Sequence, residues 1–150
     1  MDSFGKTARG RGVGSNAVGR FERHGREAVD DGWDIVEELP PLRTEVTNEV
    51  PRKVITRNTS PDISFDRSIN PYRGCEHGCV YCFARPSHAF LGLSPGLDFE
   101  TKLVARPDAA KVLEAELRRA SYRCDVIAIG TNTDAYQPIE KEHRVMRGVL

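Results

Sequence analysis

Three cysteines fall within eight residues in the run Asn70-Pro71-Tyr72-Arg73-Gly74-Cys75-Glu76-His77-Gly78-Cys79-Val80-Tyr81-Cys82-Phe83. The spacing is C-x3-C-x2-C. Thiolates this close along a chain can converge on one centre without long-range folding, and Gly74 and Gly78 permit tight bends between them. A ferredoxin-type cubane takes four thiolates. Three leave one iron with an open position, and an open position is what cofactor or substrate chemistry at a metal requires. Cys75, Cys79 and Cys82 therefore read as ligands of an iron–sulfur cluster with one reactive corner.

The competing reading is a structural zinc site, in which the same cysteines are joined by His77 or His88 as a Cys3His set, serving an interaction module without catalysis. Zinc knuckles belong to small modules, whereas this loop follows a strand in an α/β pattern, and that context favours the cluster. His77 reads as a loop residue supporting the site by hydrogen bonding. His88 reads as a surface or packing residue. The fourth cysteine, Cys124, enters an apolar run and is expected to behave as a small apolar side chain. Tyr72 and Arg73 are expected to buttress the loop, Glu140 to open a helix, and Arg118 and Arg119 to form a solvated helix end.

The elements that must hold this loop follow from patterning. Ile63, Phe65 and Ile69 suggest a strand over about 65–70, closed by the turn signal Asn70-Pro71. Residues 84–93 suggest a helical turn, followed by a Gly/Ser/Pro break. Residues 99–105 (FETKLVA) alternate as a strand does. Residues 107–120 are the clearest helix: Pro107 suits a first helical position, and Val112, Leu113, Glu116 and Leu117 share a face. Residues 125–130 (DVIAIG) read as a strand buried on both faces. The polar loop Thr131–Pro138 then leads into a helix over 139–150. Strand, loop and helix in alternation argue for an α/β fold with parallel strands. The chain stops inside that last helix after too few strands to close a barrel, so a fragment or truncated product is expected.

Upstream, residues 1 to about 28 are rich in glycine and arginine and show no apolar period, as a flexible basic arm would. Asp30, Asp31, Asp34, Glu37 and Glu38 surround Trp33, Ile35 and Val36, a short stretch suited to docking on the body before Pro40-Pro41 interrupts it. Residues 42–57 carry alternating β-branched residues and read as extended chain.

The 150 residues contain 22 Lys plus Arg and 22 Asp plus Glu, for zero formal charge. The body therefore lacks the basic footprint of nucleic-acid binding, and the arm, though of a kind that could touch a phosphate backbone, reads more simply as a solvated tail. No apolar run reaches membrane-spanning length, and residues 1–12 hold no apolar stretch that could serve as a signal peptide, so the cytoplasm is expected. There thiols stay reduced, and clustered cysteines bind metal or do redox chemistry more often than they form bridges.

The cysteine loop, with Tyr81 just before its last cysteine, resembles the signature of the radical SAM superfamily. Within it, Cys75-Glu76-His77-Gly78-Cys79-Val80-Tyr81-Cys82 and the later Thr133-Asp134 resemble the spore photoproduct lyase-like, or DNA repair photolyase-like, branch. The likeness covers about residues 62–150. It implies a [4Fe–4S] cluster on Cys75, Cys79 and Cys82 whose open iron chelates S-adenosylmethionine. It also implies reductive cleavage to a 5′-deoxyadenosyl radical that abstracts hydrogen from a substrate, and an electron donor such as flavodoxin or ferredoxin. Tyr81 would lie near the adenine. Where the family places a Gly-Gly-Glu-like segment for the methionyl amino group, this chain has Thr131-Asn132-Thr133-Asp134, and the side-chain oxygens of Asn132, Thr133 and Asp134 would take that role. The fold implied is the N-terminal portion of a partial (β/α)6 TIM-like barrel, truncated. Residues 1–50 would be a flexible extension and residues 51–150 an incomplete radical SAM core. Lyase activity on thymine lesions does not follow, because the substrate-facing portion is missing.

Overall fold

The computed structural model describes residues 10–25 and 42–150. The first nine residues, and the stretch holding Trp33, its acidic neighbours and Pro40-Pro41, lie outside the described residues.

Two small mixed sheets carry the fold. In one, β1 (Glu45–Asn48) runs parallel to β5 (Lys102–Ala105), and β4 (Tyr72–Arg73) pairs antiparallel with the other side of β5. In the other, β2 (Ile55–Arg57) runs antiparallel to β3 (Arg67–Ile69), which pairs in parallel with β6 (Ala128–Ile129). The helices are short: a 3-10 helix Arg85–Leu91, then α1 (Leu97–Thr101), α2 (Ala109–Leu117), α3 (Glu140–His143) and α4 (Val145–Val149). No helix among the described residues is long and apolar enough to cross a membrane.

This arrangement overturns the expected (β/α)6 TIM-like barrel. Such a barrel keeps successive strands parallel within one sheet, each followed by its helix. Here β5 stands in a different sheet from β3 and takes β1 and antiparallel β4 as neighbours, while β3 pairs directly with β6. No barrel closes among the described residues. β1 also precedes residue 51, so part of the stretch read as an extension is a strand of the sheet.

Three local expectations change with it. The alternating stretch 99–105 divides into α1 and β5. Asp98 accepts a 3.0 Å hydrogen bond from the Ser94 amide, and the Thr101 hydroxyl donates 2.7 Å to the Leu97 carbonyl, local bonds that close a helical turn. All five α1 residues are buried, so alternation there does not mark a solvent-facing side. The run 125–130 forms only the two-residue strand β6, bonded to β3 alone among the described residues, so Val126 and Cys124 are exposed rather than buried. The terminal helix breaks at Arg144, which takes a left-handed φ of 51° between α3 and α4.

The main core joins both sheets to the helices through Val54, Ile69, Tyr72, Leu103, Ala105, Ala109, Leu113, Ile139 and Val145. In α2, Ala109, Leu113 and Glu116 share the buried face at helical spacing. Glu116 is a carboxylate among apolar neighbours because it accepts the Val54 and Ile55 amides at 2.8 and 3.0 Å, tying the start of β2 to α2. Glu140 likewise does more than complement a helix dipole. It accepts from the Tyr72 hydroxyl and from the amides of Met146 and Arg147, the latter two at 3.0 Å, and so holds α4 to β4. Burial first, and then the Glu140 carboxylate, push the Tyr72 phenol well above its ordinary pKa.

Candidate metal and cofactor site

The cysteine loop leaves β4 and winds through successive tight turns. The Gly78 amide donates to the Cys75 carbonyl at 3.3 Å, the Cys82 amide to Cys79 at 3.2 Å, and the Arg85 amide to Cys82 at 3.4 Å. Gly74 and Gly78 adopt φ of 76° and 62°, left-handed values that side chains with a Cβ resist. A Cβ on Gly78 would also lie 2.8 Å from the Glu100 carboxylate, so these bends need glycine for room as well as for conformation. The start of the loop is pinned to α1, where the Cys75 amide donates to the Phe99 carbonyl at 3.0 Å. Cys75 packs with Phe99 and Ala84, and Cys82 joins them from the edge.

Folded in this way, Cys75, Cys79 and Cys82 line one pocket of about 710 Å³. Its facing wall is the loop after β6, including Thr131, Thr133 and Asp134, with Phe83, Tyr136 and Met146 around it. The two walls are fastened together. Thr133 is buried and donates to the Gly74 carbonyl at 2.6 Å. Gln137, also buried, accepts the Glu76 amide at 2.9 Å and donates to the Gly74 carbonyl at 3.3 Å and the Thr133 hydroxyl at 3.0 Å. His77 lies 3.2 Å from Asp134 across the rim.

The sequence-predicted site residues thus divide. The three cysteines, Thr133 and Asp134 meet at the pocket. Asn132 is exposed, and its amide donates to the Asn70 side chain at 2.8 Å. Tyr81 is 86% exposed and does not line the pocket. His88 is fully buried against Phe99, with Nε2 2.8 Å from the Lys102 carbonyl, which makes it a packing residue and leaves His77 as the histidine that lines the pocket. Lys102 pairs with Asp98 at 3.0 Å.

Burial raises the Cys75 thiol above its ordinary pKa, a trend that the Asp134 and Cys82 charges reinforce and the Asp134 and His77 amides oppose. A bare thiolate is disfavoured there; a cationic centre reverses that balance, since a coordinating thiol gives up its proton to the metal. Three soft sulfur donors on one pocket, carried by a glycine-bent loop, suit an iron–sulfur cluster in donor chemistry. Among the described residues no group of three or more His, Cys, Asp or Glu is already drawn together at metal-binding distances. The fit lies in the donors and their shared pocket.

Sequence reading missed the buried pair beneath the loop. Arg85 meets Glu100 at 2.5 Å and also donates to the carbonyls of Gly78 (2.6 Å), Cys79 (2.9 Å), Gly96 (3.1 Å) and Pro95 (3.2 Å). Gln137 was missed too. Polar residues at these positions carry no periodic signal, and only an arginine three places after a clustered cysteine hinted at a loop support.

No family model matches the chain, and no solved structure matches it. It is 48% identical over 88 residues to the uncharacterized protein Rv2578c of Mycobacterium tuberculosis and, at the same identity, to the uncharacterized protein Mb2609c of Mycobacterium bovis. The match takes in 59% of this chain and 26% of each relative, so the chain spans about a quarter of the length of the curated relatives it matches.

Proposed function

We propose that Cys75, Cys79 and Cys82 hold a [4Fe–4S] cluster that binds S-adenosylmethionine, and that the chain is a radical SAM enzyme or part of one. The observation that carries this is that the three thiols line one pocket opposite the Thr133–Asp134 loop. Bound there, the cluster would supply one-electron reduction of the cofactor's sulfonium, with flavodoxin or ferredoxin as the class of donor. Asp134, at the pocket wall, is suited to attract the cofactor's ammonium group, and Thr133 keeps that wall against the cysteine loop. Phe83, Ile129 and Met146 give the pocket apolar surface that limits water around a reactive species. A reducing cytoplasm would keep the thiols available. The substrate would be chosen by parts of a longer protein.

A zinc centre using the same cysteines with His77 is the second reading, supported by the position of His77 on the same pocket. Anaerobic reconstitution with iron and sulfide separates the two. The expected product is brown protein, with broad visible absorption that bleaches on dithionite and with 5′-deoxyadenosine released from added S-adenosylmethionine. Cys79→Ala should abolish the absorption, whereas Cys124→Ser, remote from the pocket, should retain it. A colourless protein with stoichiometric zinc, or full iron retention in Cys79→Ala, would refute the cluster. Comparing this chain with a longer reading frame separates cluster binding from a complete active site.

A further inference from the structure

The loop that carries the cysteines is held from below by a segment more than sixty residues upstream. Glu100 is wholly buried, with one carboxylate oxygen on Arg85 at 2.5 Å. Its other oxygen accepts two backbone amides, from Arg11 at 2.6 Å and Gly12 at 3.1 Å. The Arg11 side chain continues the grip. It donates to the Glu100 carbonyl at 2.9 Å, to Thr44 at 3.1 Å and to Glu76, inside the cysteine loop, at 3.3 Å. Gly12 passes so close to the loop that an added Cβ would stand 1.7 Å from the Gly78 carbonyl oxygen. Further along, the Leu97 amide donates to the Ser15 carbonyl at 3.2 Å, and Asn16 exchanges two hydrogen bonds with Asp98 at 3.0 and 3.2 Å.

A buried ion pair is a poor device for stability, because desolvation offsets much of its attraction. It is a good device for selecting one arrangement when every donor and acceptor is used, and here both partners are fully engaged: Arg85 on four loop carbonyls, Glu100 on two strap amides. We infer that Gly10–Asn16 is a strap that positions the cysteine loop, with Arg11 and Gly12 as positioning residues acting through Glu100 and Arg85. The inference rests on the proposed function only in naming what the held loop carries.

The test compares wild type, Arg11→Ala and Gly12→Ala by hydrogen exchange and by alkylation of the cysteines in the full chain without added metal. Loss of the strap's grip should speed exchange of amides 75–82 about tenfold, the effect of about one hydrogen bond's worth of local opening. Exchange in β2 and β3 should stay unchanged. Alkylation of Cys79 and Cys82 should accelerate while that of exposed Cys124 does not. Unchanged loop exchange in both variants would overturn the inference, as would loop and sheet amides accelerating together, which would make the segment a general stabiliser. A wild-type chain that takes up no iron, yet whose variants loosen the loop, would keep the strap and sink the cluster.

Discussion

The Thr133 hydroxyl donates a 2.6 Å hydrogen bond to the Gly74 carbonyl, across 59 positions of sequence. It fixes the floor of the candidate pocket, because one residue leads into the cysteines and the other lies in the loop facing them. Thr133 is therefore an organiser of the wall, and its hydroxyl is already engaged with protein.

Replacing that hydroxyl should loosen the pocket without emptying the core. Thr133→Val keeps the shape but removes the donor to Gly74 and the acceptor for Gln137, at a cost of about 1–2 kcal/mol for a buried bond. Urea denaturation should show a lower midpoint with an unchanged slope. A midpoint equal to wild type would show that Gln137 alone holds the two loops.

The pair beneath the loop should be strongly asymmetric to mutation. Glu100→Leu strands the buried Arg85 charge and is expected to cost about 3–5 kcal/mol. Adding Arg85→Met should not restore stability, because the carbonyls of Gly78, Cys79, Pro95 and Gly96 would then lose their donor. Chemical denaturation of the two variants checks this; recovery in the double variant would mean that those carbonyls are readily satisfied by water.

Stability should fall on mild acidification because of His88. Burial, opposed by its bond to the Lys102 carbonyl and by Asp98, lowers the pKa of this imidazole below its ordinary value. The folded chain keeps the ring neutral while the unfolded chain protonates it, so its contribution is complete above about pH 6.5 and is lost as pH falls below that. Asp98 follows the same sign further into the acid range: burial raises its pKa, but the Ser94 amide and Lys102 outweigh it and leave the carboxyl below its usual value. Denaturation midpoints measured from pH 7.5 to 5 should show a shallower decline in His88→Phe than in wild type. Parallel declines would assign the effect elsewhere.

Tyr81 should be dispensable for the fold and for loading the cysteines. It is exposed and outside the pocket, so Tyr81→Ala is expected to change stability by no more than about 0.5 kcal/mol. Iron bound after reconstitution should match wild type. A loss of iron would place Tyr81 in the cluster's support.

That the three thiols would face one pocket was legible because their spacing is local. C-x3-C-x2-C, with glycines between and before the thiols, needs only a few tight turns to bring its donors to one face, and those turns form. The helix α2 was legible for the same reason: Leu113 and Glu116 of the face read from the sequence are buried, although Leu117 is exposed and the helix starts at Ala109 rather than Pro107. The barrel was not. Whether a short apolar run pairs with one neighbour or two, and in which direction, depends on strands far away in the chain: β1 against β5, and β6 on β3 alone among the described residues. Cys124 and Val126 read as buried from composition, yet such a strand leaves them in solvent.

The residue order by itself determined that three thiols share one short loop, because covalent spacing limits how far apart Cys75, Cys79 and Cys82 can go. Only tertiary structure decided what surrounds them. Arg85 meeting Glu100 and Gln137 reaching the Glu76 amide are buried polar contacts, and Arg11, exposed along its own side chain, closes under the loop. Such groups leave no periodic trace, because their partners are set by where the chain returns in space.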